Sequence, residues 1–298
     1  NVVNVSLKAI GKASQPMVTT FISLVLNVIF NYIFIFKIGL GVKGAAYGTL
    51  CARSTEMIVQ LILVFSRKLP IIGCVKDYFS ADSSFVKKYF VIAMPVFLNE
   101  FFWALGTTTY NVAYKYSGTV AQAAVQVASS VQNLFVVAGF GVGAASGIIL
   151  SNALGAGDRD RAIDYAKKSK IITNIFSITS GIILALFAHL IVGLFDINNE
   201  GRKYALYMLY IVAVGIVIKN INYNNIVGIL RSGGDTLAGL ILDMGSVWLI
   251  GVPMAFLGSM ILGLPIYCTF AMVYMEEFVK MFFSEARVLK LKWANTII

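Results

Sequence analysis

The feature that most constrains this chain is a series of long apolar windows with few charged residues. A stretch of roughly 20 apolar residues is long enough to cross a bilayer as an α-helix. A segment in lipid must satisfy its own backbone hydrogen bonds, so each window must be helical. The sequence therefore predicts an all-α, multi-pass membrane protein with about eight transmembrane helices. The windows cover about 17–36, 44–65, 89–112, 120–150, 171–195, 204–230, 237–258 and 265–284.

Composition and charge agree with this class. Of the 298 residues, 58% are hydrophobic and only 13% are charged, a balance that no water-soluble domain of this length needs. The net charge of +10 comes from Lys and Arg residues spread through short loops, so we expect no nucleic-acid partner. Most of these residues fall on one side of the predicted helices, and the positive-inside rule makes that side cytoplasmic. Both termini of this chain are then expected to face the cytoplasm.

Two similar stretches suggest an internal repeat. One is "KAIGKASQPMVTTFISLVLNVIFNYIFIFKIGLGVKG" from Lys8, and the other is "RSGGDTLAGLILDMGSVWLIGVPMAFLGSMILGLPIY" from Arg231. They contain the first and seventh predicted spans and would point the same way across the membrane, as parallel six-helix repeats do. Too few residues precede the first copy to complete its unit, and the chain begins with Asn. We therefore expect a fragment of a twelve-helix protein.

Several stretches resemble one known family. They are "PVFLNEFFWALGTTTYNVAYKYSGTVAQAAVQVASSVQNL", "GVGAASGIILSNALGAGDRDRA" and "GILRSGGDT". Together they resemble hallmark stretches of the multidrug and toxic compound extrusion (MATE) family, and "IGKASQPMVTTFISLVLNVIFNYIFIF" resembles its fifth helix. The resemblance covers essentially the whole chain and implies roughly family helices 5 to 12. Residues 1–74 would end the N-lobe with two complete spans, 75–87 would connect the lobes, and 88–298 would form a six-helix C-lobe bundle.

The resemblance also implies a function. A MATE protein is a two-lobed secondary active antiporter that exports organic, often cationic, compounds in exchange for H⁺ or Na⁺ by alternating access. It would need no cofactor besides the coupling ion, and its partners would be small organic cations and the lipid bilayer. We expect a monomeric transporter in the cytoplasmic (inner) membrane.

Glu100 is an ionisable residue in the middle of a predicted span, and it has no obvious partner in the sequence. A charge at membrane depth costs roughly 2.5 to 3.5 kcal/mol on insertion scales, so such a residue is a functional hypothesis by default. At helical spacing, Trp103, Thr107 and Tyr110 follow on the same face. This face could line a cation site, with Na⁺ possible at Glu100, and the MATE resemblance implies a functional acid there. The alternative is a buried Glu that only helps helices to pack.

Further polar residues lie in the later spans. Asp243 is either part of the site or a structural partner of Lys219. Asn222 and Tyr223 follow Lys219 at +3 and +4, forming a polar patch too dense for lipid, so we expect this face to line a cavity. Some MATE proteins carry a second acid in this helix, where this sequence has Asn and Lys. That departure puts Na⁺ coupling in doubt.

Three charged residues near the end of the last window have a structural interpretation. Glu276 and Glu277 precede Lys280 at the spacing of an intrahelical ion pair, and Arg53 with Glu56 has the same pattern. Gly143 and Gly147 are spaced as GxxxG, which indicates close helix packing rather than a phosphate-binding loop.

Other classes of function are weaker. An enzyme would need a nucleophile with its base, or a metal set, yet His189 is the single histidine and neither HExxH nor GxSxG occurs. Cys51, Cys74 and Cys268 lack the spacing of a zinc site or a disulfide framework. The alternatives that stay open are a lipid-linked oligosaccharide flippase of a related superfamily, whose cavity would carry several basic residues, and a transport-inactive fragment.

Overall fold

The computed structural model describes residues 2–67 and 82–294, and these are almost entirely helical. Seven of the described helices, α2 to α8, are long and apolar enough to cross a membrane. The all-α membrane fold is thus confirmed. The helices are α1 Val2–Ala9, α2 Ser14–Lys37, α3 Gly41–Ser66, α4 Ser83–Ser117, α5 Thr119–Gly155, α6 Arg159–Gly193, α7 Asn199–Gly233, α8 Thr236–Ile261 and α9 Ile266–Leu289.

The eighth predicted span, α9, differs from the other seven in composition. Its 24 residues would extend about 36 Å, which is enough to cross the hydrocarbon core. However, Glu276, Glu277 and Lys280 all lie in its apolar stretch, and all three are buried. These three charges of α9 therefore face protein rather than lipid.

The chain divides into two compact units, Asn1–Val86 and Lys87–Ile298. In the first unit, α2 and α3 pack through polar contacts: the Gln60 amide donates to Thr19 Oγ1 at 3.0 Å, and Ser23 Oγ donates to the Ala52 carbonyl at 3.1 Å. The predicted Arg53–Glu56 ion pair is confirmed at 2.8 Å.

The predicted connector between the lobes falls mostly outside the described residues, which lack 68–81 and thus Cys74. Helix α4 begins at Ser83, inside the predicted connector of 75–87. The assignment of the two units to an N-lobe and a C-lobe stays a prediction.

The second unit has a core built from small and branched apolar residues of α4 to α9. Small residues let α5 and α7 approach closely: a Cβ added at Gly143 would lie 2.7 Å from the Tyr223 ring, and one at Gly147 would lie 3.4 Å from the Val227 carbonyl oxygen. The predicted packing role of this GxxxG pair is confirmed.

Helices α7 and α8 contain π-helical stretches at Asn224–Leu230 and Val247–Gly251. Such i→i+5 turns are rare and often lie at functional sites. In α8 a cause is local, because Pro253 has no N–H to donate within the helix. Helix α4, by contrast, remains helical across Pro95. The stretch in α7 contributes Ile226 and Val227 to the wall of the first cavity described below.

One prediction concerns the packing of α6 on α7. A Cβ at Gly181 would lie 2.5 Å from the Ala213 carbonyl oxygen, and backbone cannot move aside cheaply. We expect Gly181→Ala to destabilise the protein by about 1–3 kcal/mol, as overpacking does. The measurement is thermal unfolding of the purified protein in detergent.

The matched control is Gly141→Ala in α5, where an added Cβ meets nothing within 4 Å. Because Ala is about 1 kcal/mol better than Gly inside a helix, this variant should be as stable as the wild type or more stable. Equal melting temperatures for the two variants would contradict the packing described for α6 and α7.

Candidate functional site

Two adjoining cavities lie within the unit Lys87–Ile298. Their volumes are about 220 Å³ and 300 Å³, and they share Trp103, Lys219 and Glu277. Helices α4, α5, α7 and α9 contribute to both, and α8 contributes to the first. All eight candidate residues from the sequence line these cavities. The first is lined by Glu100, Trp103, Lys219, Asn222, Tyr223 and Asp243, among others, and the second by Trp103, Thr107, Tyr110 and Lys219.

The face of α4 predicted from Glu100 therefore points inward. Trp103 lies at the junction of the two cavities, and Thr107 and Tyr110 follow it along the second. Helical spacing placed these residues on one face, and the structure gives that face an interior space. The predicted cavity-facing side of α7, with Lys219, Asn222 and Tyr223, is likewise confirmed.

Glu100 has an ion-pair partner that its neighbours in the sequence did not reveal. Arg231, 131 residues further on, donates to Glu100 Oε1 at 2.9 Å. The Glu100 side chain is 59% exposed, whereas that of Arg231 is mostly buried. The expectation of an unpaired carboxylate was wrong, because Arg231 at the end of α7 is close to Glu100 in space although distant in the chain. Glu100 can still meet a ligand, since its carboxylate is accessible.

Asp243 has a structural partner, but it is not Lys219. Lys280 of α9 lies 2.7 Å from Asp243 Oδ1, and the Asn99 amide donates to Asp243 Oδ2 at 3.1 Å. Of the two alternatives left open by the sequence, the pairing of Asp243 with Lys219 is not observed. Lys280 reaches Asp243 because α8 and α9 are neighbours, a proximity that spacing within one helix cannot reveal.

Of the two intrahelical contacts predicted for Lys280 in α9, the one with Glu277 is confirmed. Lys280 lies 3.4 Å from Glu277 Oε2, and the Asn222 amide donates to the same carboxylate at 2.8 Å. Glu276 has no such pair among the described residues. Its carboxylate accepts a hydrogen bond from the Tyr110 hydroxyl of α4 instead.

Aromatic rings form much of the remaining wall. Phe140 and Tyr223 stack with ring centroids 3.8 Å apart beside the first cavity. Tyr274 donates to Gln132 Oε1 at 2.7 Å in the second cavity. Stacked rings and a few polar groups suit a flat organic molecule, since ligand pockets are mostly apolar with a few placed polar contacts.

Four charged lining residues were not among the candidates from the sequence, namely Arg231, Glu276, Glu277 and Lys280. The rule that an ionisable residue inside a span is functional by default applies to the last three, and it could have found them. Their helical spacing favoured a structural pair instead. Arg231 lies near the predicted end of a span, where a basic residue is ordinary. Over the described part of the chain, no cluster of three His, Cys, Asp or Glu side chains could hold a metal ion.

Comparison with known proteins identifies the family. A family model described as MatE matches residues 95–257, more than half of the chain. The chain belongs to the MatE family. The matched region contains Glu100, Lys219 and Asp243, and it ends before α9. This finding confirms the resemblance to the MATE transporters seen in the sequence.

Curated relatives are similar at low identity. The probable multidrug resistance protein NorM of Thermotoga maritima is 23% identical over 256 residues, which make up 84% of this chain and 54% of that protein. Multidrug and toxin extrusion protein 1 of Homo sapiens is 24% identical over 255 residues, or 82% of this chain and 42% of that protein. The MatE chain described here thus spans about half the length of these relatives.

Solved structures share the fold. A crystal structure of MATE in the straight conformation superposes with a TM-score of 0.87 at 19% identity, over 98% of this chain and 66% of that one. A MOP superfamily transporter from Pyrococcus furiosus, described as having a binding pocket of reverse polarity, superposes with a TM-score of 0.86 at 20% identity and the same coverage.

A second prediction concerns Lys280, which holds two buried carboxylates. Removing one partner of a buried pair leaves an uncompensated charge and costs about 3–5 kcal/mol. We expect Lys280→Met to lower the free energy of unfolding by this amount, as measured by thermal unfolding in detergent.

The double variant Asp243→Asn with Lys280→Met removes the charge of one stranded carboxylate. It should regain a large part of the lost stability, because an Asn side chain can still contact the Asn99 amide. If the double variant is no more stable than Lys280→Met alone, the Asp243–Lys280 contact does not carry the assigned energy.

Proposed function

We propose that this MatE chain is part of a secondary active antiporter that exports organic, often cationic, compounds in exchange for H⁺ or Na⁺ by alternating access. The observation that carries the proposal is the pair of cavities in a MatE chain, with acidic and aromatic side chains on their walls. A desolvated carboxylate and an aromatic face both attract an organic cation. Multidrug resistance is named for the relative from Thermotoga maritima, and multidrug and toxin extrusion for the relative from Homo sapiens.

Glu100, Trp103 and Asp243 are the candidate contacts for the cationic group of a substrate. Glu100 is accessible to a ligand despite its contact with Arg231, and Trp103 lies at the junction of the two cavities. Thr107 and Tyr110 extend the site along α4, and Asn222 and Tyr223 extend it along α7. The Lys219 ammonium lines both cavities and would limit the positive charge that a substrate can carry, because it repels cations.

The exchanged ion is proposed to be H⁺ rather than Na⁺. A Na⁺ ion at Glu100 would be repelled by the Arg231 guanidinium, which already donates to that carboxylate at 2.9 Å. A proton needs only a carboxylate that water can reach, whereas Na⁺ needs several oxygen ligands. The choice between the two ions is part of the experiment below.

The cavity charges favour this reading over the flippase alternative. A lipid diphosphate would call for a basic cavity, and the described residues that line the two cavities carry four carboxylates and three cationic groups.

We further propose that the protein is a monomer in the cytoplasmic membrane, with both termini of this chain in the cytoplasm. The units Asn1–Val86 and Lys87–Ile298 would correspond to the end of the N-lobe and to the C-lobe.

A third prediction tests the role of Glu100. Ethidium efflux is measured in cells expressing the protein, at two pH values with and without Na⁺. We expect Glu100→Gln to lose most of its efflux, because it removes the accessible carboxylate that attracts the cation. Wild-type efflux should respond to pH and be indifferent to Na⁺.

The control is Asp164→Asn, which removes an exposed carboxylate whose partner is Lys168 on the surface of α6. This variant should keep wild-type efflux. Normal efflux by Glu100→Gln at wild-type expression would contradict the proposed role of Glu100, and dependence on Na⁺ at constant pH would contradict proton exchange.

A further inference from the structure

Glu276 stands out among the charged residues of the two cavities. The other three lining carboxylates each have a cationic partner: Glu100 has Arg231 at 2.9 Å, and Asp243 and Glu277 share Lys280 at 2.7 Å and 3.4 Å. Among the described residues, no Lys or Arg nitrogen lies within 4.0 Å of the Glu276 carboxylate. Its side chain is nevertheless buried, at 7% exposure. A buried carboxylate without a counter-charge is costly unless it binds a positive charge.

The residues around Glu276 fix one of its two carboxylate oxygens through a hydrogen bond. The Tyr110 hydroxyl of α4 donates to Oε2, which leaves Oε1 as the acceptor for a further group. Gly251 makes this contact possible, because a Cβ there would collide with both the Tyr110 hydroxyl and Glu276 Oε2. Gly251 ends the π-helical stretch Val247–Gly251 of α8. Three helices therefore meet at this carboxylate.

Charged and titratable groups face Glu276 from each neighbouring helix. Helix α4 contributes Tyr110 and Tyr114, and α7 contributes the Lys219 ammonium. Helix α8 approaches Glu276 at Gly251, while its Asp243 lines the first cavity and pairs with Lys280. Helix α5 contributes the neutral Gln132 to the second cavity. On α9 itself the neighbours are Glu277, Lys280 and Tyr274. Burial and repulsion from Glu277 favour the neutral form of Glu276, whereas Lys280, Lys219 and the Tyr110 hydrogen bond favour its charged form.

Glu276 is also accessible from the cavity. It lines the second cavity together with Tyr110, Gln132 and Lys219, so water and solutes that enter the cavity can reach it. The lining residues carry four carboxylates and three cationic groups, which gives an excess of one negative charge among the described residues. One proton on Glu276, or one organic cation in the cavity, balances that excess.

We propose that Glu276 carries the exchanged proton in this chain, in place of Glu100. This inference rests on the proposed antiport function and names the residue that couples it. A hydronium ion transfers its proton to Glu276 Oε1 and leaves water, while Oε2 keeps the hydrogen bond from Tyr110. When a cationic substrate enters, the proton returns to cavity water and the negative charge of Glu276 balances the substrate.

The first test needs no transport and no substrate. Infrared difference spectra of the purified protein are recorded between acidic and alkaline pH, following the carbonyl stretch of protonated carboxyl groups. We expect a titrating band in the wild type that is absent from Glu276→Gln and unchanged in Glu100→Gln. If the band persists in Glu276→Gln, or if no such band titrates in the wild type, the proposal is overturned.

A second variant covers the case in which Glu276→Gln does not fold. Tyr110→Phe keeps the carboxyl group and removes only its hydrogen-bond donor. The same infrared band should remain and move to higher frequency, because the carboxyl group loses a hydrogen bond. A band at the wild-type frequency in Tyr110→Phe would show that it arises from another carboxyl group, which also overturns the proposal.

The link to substrate is tested by proton release. Tetraphenylphosphonium is added to the weakly buffered protein while a pH indicator reports released protons, and its binding is measured separately by equilibrium dialysis. We expect release on binding in the wild type and in the surface variant Asp164→Asn, and binding without release in Glu276→Gln. Binding without release in the wild type would overturn the role of Glu276 and leave the proposed substrate class standing. If nothing binds, the proposed function fails, while the infrared result still decides whether Glu276 holds the proton.

Discussion

The contacts of Lys280 are the constraint on which the C-terminal unit depends. A buried ammonium group must be paired, and Lys280 meets Asp243 of α8 and Glu277 of its own helix. Asn99 of α4 and Asn222 of α7 complete the network by donating to the same two carboxylates. One positive charge thus ties four helices together at the wall of the first cavity. Apolar packing alone could not dictate this register, because it is not directional.

This network also explains why the cavities can hold charge. Lys280 shares its single positive charge between Asp243 and Glu277, and Arg231 pairs with Glu100, whereas the contact of Glu276 is the Tyr110 hydroxyl. The Lys219 ammonium lines both cavities, where it attracts a carboxylate and repels a cation. Under the proposed antiport, the loss of one proton from this site would balance the entry of one cation.

Much of this arrangement was accessible from sequence, and the reason is periodicity. Apolar windows of bilayer length predicted the helices, and 3.6-residue spacing from Glu100 predicted which side of α4 faces inward. Hydropathy also predicted the last window, 265–284, and α9 is a helix there. Its charged residues distinguish it from the seven described helices that are apolar enough to cross a membrane.

The sequence could not predict which residues form ion pairs between different helices. Glu100 with Arg231 and Asp243 with Lys280 are contacts between helices that are distant in the chain, and spacing within one helix carries no information about them. The proposed role of Glu276 could not be predicted for the same reason. Its spacing from Lys280 indicates an intrahelical ion pair, and only the structure shows that the Tyr110 hydroxyl contacts it beside Gly251.

The most direct measurement of the central claim is to locate a bound organic cation in this MatE chain. Crystals grown with tetraphenylarsonium would reveal the arsenic atom by its anomalous scattering. The account predicts a peak inside the unit Lys87–Ile298, in the first cavity beside Trp103 and within reach of the Glu100 carboxylate. A peak outside both cavities, or a cation bound with none of the four lining carboxylates nearby, would contradict it.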